Sequence, residues 1–575
     1  MSRAPETLAI RAVNQYRRRD LIGYLGLRLY LDSTCSRRDR WSQEIAVHLA
    51  LHNQHPQYYR SLHFKERCSK PDKIIYRPLR LPGPNEIMAE AALLNVCSHA
   101  GAPFVTPDAV YSYRLAGHSE RRGIFVPYYE GFRQRHADIA KAADSCPDGV
   151  VLYTDIRRFY PSIPSEQARN AWSATAAATN LLPWVTLLGH KLLDGYASNC
   201  DEDENGILTG PMFAHLIGNL VLVDLDKEMM RALPHGYFRY VDDIVLVGAR
   251  GAVFDAEKRL NEWLSSRYYE TKSDKRYEVP VSHWLSCRDD FAEDRDSVTW
   301  KTFVGRLKQL LLAHPERTQA LTNRLADEGI RLTPLDYTAA VRERAYLSRM
   351  YGLVRWGWFR RALHGTTPDT VCKQGLQLRR RYQESFWTIA DGIRSLTGFD
   401  RKRWLYLLRR YASRLVYLAS PDDLATIAET LTGVPEMELY EVVFSCLASR
   451  DVTRLLEYGP AAAHSASQAL LVSDRPVVCS VSTWTDAHRQ ALAVLIATGV
   501  KVESAAAPSP LDVERFSDWD THGLSLLEQP DTYFGQLACL HGQDVGCRHE
   551  HLLRTAFDAD EDTLVDIEDV LTEYS

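Results

Sequence analysis

The chain has 575 residues, 45% hydrophobic and 25% charged, which excludes a disordered, fibrous or collagen-like protein and predicts several packing units rather than one core. The formal charge of −5 hides an asymmetry: Arg342 to Arg414 holds fifteen Arg and two Lys against five acids, while Asp558 to Ser575 holds eight acids and no base. A basic centre of this kind reads as a polyanion-binding surface or as a set of solvated helix faces, and composition alone does not separate the two.

No run approaches the roughly 20 apolar residues that span a bilayer, so no membrane is expected. Met1 to Glu6 leads into no apolar core, so no secretory signal is expected either. Eleven cysteines, an odd number scattered from Cys35 to Cys547, do not read as a disulfide framework and suit a reducing cytoplasm.

Mixed apolar and basic residues from Leu21 to about Leu51 predict a helix that ends in the polar loop His52 to Pro56. Lys73 to Pro82 alternates apolar and basic residues like a partly exposed strand. Gly83-Pro84-Asn85 makes a turn, with Asn85 as the expected cap of a helix over Ile87 to Cys97. Val150 to Thr154 is a short β-rich run followed by Asp155. Pro164-Ser165-Glu166 opens an Ala-rich helical stretch to about Thr179, and Met212 to Arg231 carries Leu216, Leu220 and Val223 at helical spacing. Tyr237 to Gly248 sets two β-branched and aromatic runs around Asp242-Asp243, the pattern of a tight hairpin. From roughly Pro334 helical periodicity dominates, and Ser420-Pro421-Asp422-Asp423 reads as a helix start and a boundary. Beyond it no fixed repeat period is found.

Adjacent acids at the tip of an apolar hairpin need something to hold their charge. Water does this for most Asp-Asp pairs, but here the flanking runs bury the hairpin and leave the carboxylates at a sheet rim, where a divalent cation is the natural partner. Asp155 ends a second buried β run in the same way. Two strands presenting carboxylates at one end make a hard-oxygen site suited to Mg²⁺. Two such ions about 4 Å apart activate a hydroxyl and stabilise a leaving pyrophosphate.

The ordered set of segments resembles the reverse transcriptases. Asp155-Ile156-Arg157-Arg158-Phe159-Tyr160-Pro161-Ser162-Ile163 is similar to their first catalytic motif, and Tyr240-Val241-Asp242-Asp243 to their aromatic-x-Asp-Asp motif. Between them, Gly206-Ile207-Leu208-Thr209-Gly210-Pro211, continuing to Asn219 and Asp226, resembles their template-and-nucleotide helix motif. Arg77-Pro78-Leu79-Arg80-Leu81-Pro82 resembles a fingers motif, and Phe303-Val304-Gly305 a primer grip. Five motifs in family order cover roughly Lys73 to Lys308.

The resemblance implies an α+β right-hand polymerase with an added α-helical C-terminal domain. Its parts would be an N-terminal extension and start of the fingers (1–72), fingers and palm (73–310), a basic helical thumb with connecting helices (311–420) and the helical domain (421–575). It implies that Asp155, Asp242 and Asp243 hold two Mg²⁺ ions, with Mn²⁺ able to substitute and the Ile156 carbonyl as a further ligand. Tyr160 matches the family's steric gate against a ribose 2′-hydroxyl. Arg77, Arg80 and Gly210 fall at nucleotide-binding positions, Arg80 where many relatives have glycine. A general-acid or phosphate lysine is expected after the hairpin, with Lys272 and Lys275 as candidates.

The middle motif departs from the common pattern, with Thr209 at the usual Gln, Ala214 at the usual Ser, and Gly210-Pro211 for Gly-x-Pro. A Gly-Pro here resembles the abortive-infection and unknown-group bacterial reverse transcriptases that defend against phage. That resemblance implies a cytoplasmic bacterial polymerase using dNTPs to make DNA, untemplated, protein-primed or guided by a non-coding RNA, with a partner protein or further copies of the chain as additional partners. Alternatives are a template-copying enzyme of the retron or group II intron kind, and a degenerate module that binds RNA or a partner.

Arg355-Trp356-Gly357-Trp358-Phe359-Arg360-Arg361 interleaves cations with aromatics, able to grip phosphates and stack bases. Arg379-Arg380-Arg381 and Arg401-Lys402-Arg403, with Arg409, Arg410 and Arg414, extend it at helical spacing and would bind a product or RNA strand through phosphates. Tryptophans in the core with arginines snorkelling beside them fit the same residues. Cys539, His541, Cys547, His549 and His551 could bind Zn²⁺, but their spacing matches no common zinc module and ordinary residues are the simpler reading. The acidic tail reads as a solubilising end, with masking of the basic surface or priming from Tyr574 or Ser575 as alternatives.

Overall fold

The computed structural model describes residues 41–503 apart from 53–55, 57, 70–71, 118–122, 201–205, 273–274, 292–299, most of 301–313, 333–366, 474 and 499, together with four positions between Leu8 and Gln15. The run from Arg355 to Arg361 with its Trp358 and Arg360, the cysteine–histidine cluster with Cys539, His541, Cys547 and His549, and the acidic tail lie outside the described residues. Among the described residues no helix is long and apolar enough to cross a membrane. The fold is α+β, largely helical with small sheets.

After α1 (Trp41–Leu51), β1 (Tyr58–Ser69) and β2 (Asp72–Pro82) pair as an antiparallel hairpin. Alternate residues share a face of such a ribbon, and Tyr59, Ser61, His63, Leu79 and Leu81 are all buried. A division of the chain at residue 72 cuts this hairpin, because Ser69 and Asp72 are its last register partners. α2 (Pro84–His99) starts from Gly83 with Pro84 in its first turn. Proline is at home there, since its missing N–H would be unpaired anyway. Asn85 therefore lies inside the helix and is buried, rather than capping it.

Next come α3 (Tyr128–Asp144), β3 (Val150–Asp155), α4 (Phe159–Ser162), α5 (Ser165–Thr179) and α6 (Pro183–Asn199). The helix expected over Met212 to Arg231 is two helices, α7 (Met212–Val221) and α8 (Val223–Ala232), divided at Leu222, whose ψ of 0° leaves the helical region. Glu90 on α2 accepts the Phe213 amide (3.1 Å) and the Tyr196 hydroxyl (3.1 Å). It thereby meets the positive end of α7, while burial first of all pushes its carboxyl up to about 8.

β4 (Tyr237–Tyr240), β5 (Asp243–Gly248), α9 (Arg250–Ser265), β6 (Tyr277–Pro280), α10 (Val281–Ser286) and α11 (Arg288–Phe291) follow. They complete an antiparallel sheet of order β4-β5-β3-β6. Strands β3, β4 and β5 are apolar almost throughout because both faces are covered, whereas β6 exposes Glu278 and Pro280. Val150, Leu152, Ile244 and Leu246 enter the main core, while Val151, Val245, Val247 and Phe238 pack with Ile139, Val281 and Trp284 on the other side.

Beyond the sheet lie α12 (Thr318–Asp327), α13 (Pro368–Gly392) and α14 (Gly398–Leu418), and then α15 (Pro421–Leu431), α16 (Glu438–Ser449), α17 (Thr453–Leu456) and α18 (Gly459–Leu470). Ser420 caps α15, its side chain accepting the Asp423 amide at 3.3 Å. The part expected to be wholly helical also holds a short parallel pair, β7 (Val477–Val478) and β8 (Val502–Glu503), around α19 (Asp486–Ala497). This layer closes onto the first hairpin. The Gln490 amide accepts the Leu62 N–H at 2.9 Å and donates to the Arg60 carbonyl at 2.8 Å. The Phe64 ring lies 4.7 Å from that of Tyr458.

Candidate active site

Asp155 and Asp243 end β3 and β5 as direct register partners, so their side chains leave the same face of the sheet. The Ile156 amide donates to the Asp242 backbone carbonyl at 3.1 Å, which sets the Asp242 main chain beside the end of β3. Asp155 is 5% exposed, whereas Asp242 and Asp243 keep part of their surface open to solvent. Burial, then the Asp243 and Asp155 carboxylates, push the Asp242 carboxyl up to about 7. Burial also raises Asp155, against the pull of Lys275.

Lys275 reaches Asp155 Oδ2 at 2.9 Å. Burial acts to lower the Lys275 pKa, but the three carboxylates outweigh it and leave it raised. Lys272 meets the same residue through its backbone, its amide donating to the Asp155 carbonyl at 2.9 Å. Oxygen donors whose charges repel, as those of Asp243 and Asp155 act on Asp242, suit a hard divalent cation, which removes the repulsion. Asp155, Asp242, Asp243 and the Ile156 carbonyl are oxygen donors that could serve Mg²⁺ or Mn²⁺, but among the described residues the three ligand atoms found within 4.8 Å of one another are those of His283, Cys287 and Asp400.

The turn that presents Asp242 is strained and held. Val241 has φ 55°, a region a β-branched residue avoids. Its amide donates to Ser112 Oγ (2.7 Å) and its carbonyl accepts from Arg239 Nη1 (2.9 Å). Asn219 accepts from the same Arg239 nitrogen at 3.3 Å and donates to the Ser112 carbonyl at 3.1 Å. Asn219 and Asp226, noted only as parts of a motif, thus act through the hairpin. Ser112 and Arg239 were missed, although a charged residue inside a strand as apolar as Tyr237–Tyr240 was a signal in itself.

A second group gathers around the 206–211 loop. The Ile207 amide donates to the Tyr160 carbonyl at 3.1 Å, and the Arg80 amide to the Thr209 carbonyl at 2.9 Å. Gly210 has φ +128°, and a Cβ there would sit 2.6 Å from the Arg80 carbonyl oxygen, so the approach requires glycine. Tyr160 is half-buried. Its hydroxyl meets His215 Nδ1 at 2.6 Å, and the His215 ring stacks on Tyr113 at 3.7 Å.

Arg80, Gly210 and Tyr160 are therefore brought together. Arg77 is not part of this group by its side chain: it pairs with His63 on the buried face of the hairpin, opposite to that of Arg80. Burial and then the Arg77 charge hold His63 down at about 3.

Much of the basic segment is engaged inside the fold. Arg379 donates to the Leu418 carbonyl and, at 2.5 Å, to that of Glu328, so its guanidinium caps helix ends rather than facing a ligand. Arg410 and Arg414 are buried, lying over Tyr406 and Trp300. Arg380 and Arg381 are exposed on α13.

His283, Cys287 and Asp400 bring ligand atoms within 4.8 Å of one another where α10 meets α14. His283 Nε2 already lies 3.0 Å from Asp400, and Arg403 competes for that carboxylate at 3.5 Å, so the cluster serves first as an ion-paired joint. Compared with models of known protein families the chain matches none, and no curated protein matches it.

Proposed function

We propose that this chain is a metal-dependent nucleotidyltransferase that adds dNTPs to a hydroxyl, built as a right-hand polymerase. In this reading the β1–β2 hairpin is the fingers, the four-stranded sheet the palm, and α13 and α14 the thumb region. One observation carries it: Asp155 and Asp243 are neighbours in register, with the Asp242 main chain joined to them through the Ile156 amide. A binding module has no use for three acids set together in a largely buried corner, where burial and the Asp243 and Asp155 carboxylates push the pKa of Asp242 up.

Mg²⁺ bound by these carboxylates would lower the pKa of the attacking hydroxyl and neutralise charge on the α-phosphate and pyrophosphate. Lys275, held by Asp155, stands to donate a proton or a hydrogen bond to the leaving phosphates. Tyr160, fixed by His215, would meet a ribose 2′-hydroxyl and select deoxynucleotides. Arg80 and the backbone around Gly210 would line the nucleotide, with Arg380 and Arg381, exposed on α13, facing a strand. Service in bacterial antiphage defence rests on the motif resemblance alone.

The test is incubation of the purified chain, with and without co-purifying RNA, with each dNTP and Mg²⁺, beside the D242N variant. DNA made by the parent and not by D242N supports the reading. No product under any condition overturns it in favour of RNA or partner binding. RNase and protease treatment of the product then distinguishes RNA-linked from protein-linked DNA.

A further inference from the structure

Arg401-Lys402-Arg403 looks in sequence like one basic triplet, but its members do different things. Arg401 donates to both carboxylate oxygens of Glu436 at 2.7 Å, and Arg403 donates to Asp290 at 2.8 Å. Lys402 makes no ion pair among the described residues. Its ammonium lies 5.6 Å from the ring centre of Tyr153 and 5.4 Å from that of Tyr277, which are cross-strand partners on β3 and β6. Ring faces hold an ammonium without using up its three N–H donors.

Tyr153 precedes Asp155 by two residues on β3, so it shares the carboxylate's face about 7 Å along the strand. The helix that brings Lys402 there is pinned on both sides. Phe399 packs 5.8 Å from Tyr153, Asp400 meets His283 at 3.0 Å, and Arg410 donates to the Asp290 carbonyl at 3.0 Å. The residue as a whole stays exposed. Crowding around its ammonium nevertheless lowers its pKa, against the attraction of Asp243 and with Lys275 and Arg135 as neighbouring cations. Three cations thus stand along the acid end of the sheet. Lys275 reaches Asp155, and the Arg135 side chain donates to the Asp243 carbonyl at 3.4 Å. Lys402 lies over two rings and, among the described residues, makes no ion pair.

We propose that Lys402 is a phosphate-binding residue of the active site, supplied by the helical part of the chain to the carboxylate end of the sheet. The inference rests on the nucleotidyl-transfer reading and adds to it. The phosphate is one of the incoming triphosphate or one of the strand bearing the hydroxyl, and a point-charge ammonium serves either.

Equilibrium binding of a dNTP mixture, and separately of a short DNA oligonucleotide with a free 3′-hydroxyl, is measured in Ca²⁺ for the parent, K402A and K402R. Circular dichroism melts check that each variant folds. K402A weakens one ligand by roughly tenfold, the scale of one charge-assisted contact, and K402R recovers most of it. Loss of dNTP binding assigns the triphosphate. Loss of oligonucleotide binding with a shallower salt dependence assigns a strand phosphate. If the parent binds either ligand and K402A binds both as tightly, the inference falls alone. If the parent binds neither, the nucleotidyl-transfer reading falls and takes the inference with it.

Discussion

Arg239 grips Asp226 with two parallel hydrogen bonds, each 2.7 Å, and both side chains are fully buried. A third bond from the same guanidinium reaches the Val241 carbonyl at 2.9 Å, so an ion pair in the core sets the turn that carries Asp242. Breaking one partner of such a pair leaves an uncompensated charge. D226A is expected to lose about 3–5 kcal/mol of stability, read by denaturant titration. Replacing both residues by apolar ones of similar volume recovers much of the stability while leaving the turn without its brace, and so keeps any activity low.

The acids themselves predict a pH dependence. The Asp242 carboxyl, pushed up to about 7 in the folded chain, sits near 3.9 when unfolded. The folded state then holds its proton more tightly, so this group's contribution to stability is fully present below the unfolded value and is lost as pH rises from about 4 to about 7. Without metal, D242N is expected to be more stable than the parent at pH 8 by about 1–2 kcal/mol, given the carboxyl's partial solvent contact. Added Mg²⁺ should close that gap by stabilising the parent alone, which calorimetry with and without chelator checks.

Tyr160 and His215 predict sugar selection. With the hydroxyl held at 2.6 Å by a ring stacked on Tyr113, the Tyr160 ring has little freedom to swing away. Y160A is expected to lower the ratio of kcat/KM for dNTP over rNTP by roughly 10- to 200-fold, the range a missing contact of this size allows. H215A should lower the ratio less. An unchanged ratio in both variants would remove Tyr160 from the site.

Arg67 joins the hairpin to the last helices. It donates to Glu438 at 2.5 Å and to the Tyr458 hydroxyl at 3.2 Å. A double-mutant cycle of R67A and Y458F should show a coupling of about 0.5–3 kcal/mol. A value near zero would mean that the hairpin and the helical layer are energetically independent.

Local patterning announced the strands that matter. The apolar runs before Asp155 and around Asp242-Asp243 became β3, β4 and β5, because a run buried on both faces has few other solutions. The helix from Ser165 to Thr179 and the Ser420 cap were equally legible, since caps and periodicity act over a few neighbouring residues. Which cations would face a ligand was not legible. Arg379 and Arg410 turned inward and Lys402 toward the sheet, and a run of basic residues reads the same whether helix ends, rings or solvent receive it.

Sequence alone determined that acids lie at strand ends, because that follows from residue type and alternation along a single strand. Only tertiary structure decided that Asp155 stands opposite Asp243, that Arg239 finds Asp226, and that helix α14 returns to the sheet. Those pairings join segments separated by thirteen residues to more than a hundred, and they depend on which faces bury one another rather than on any local preference.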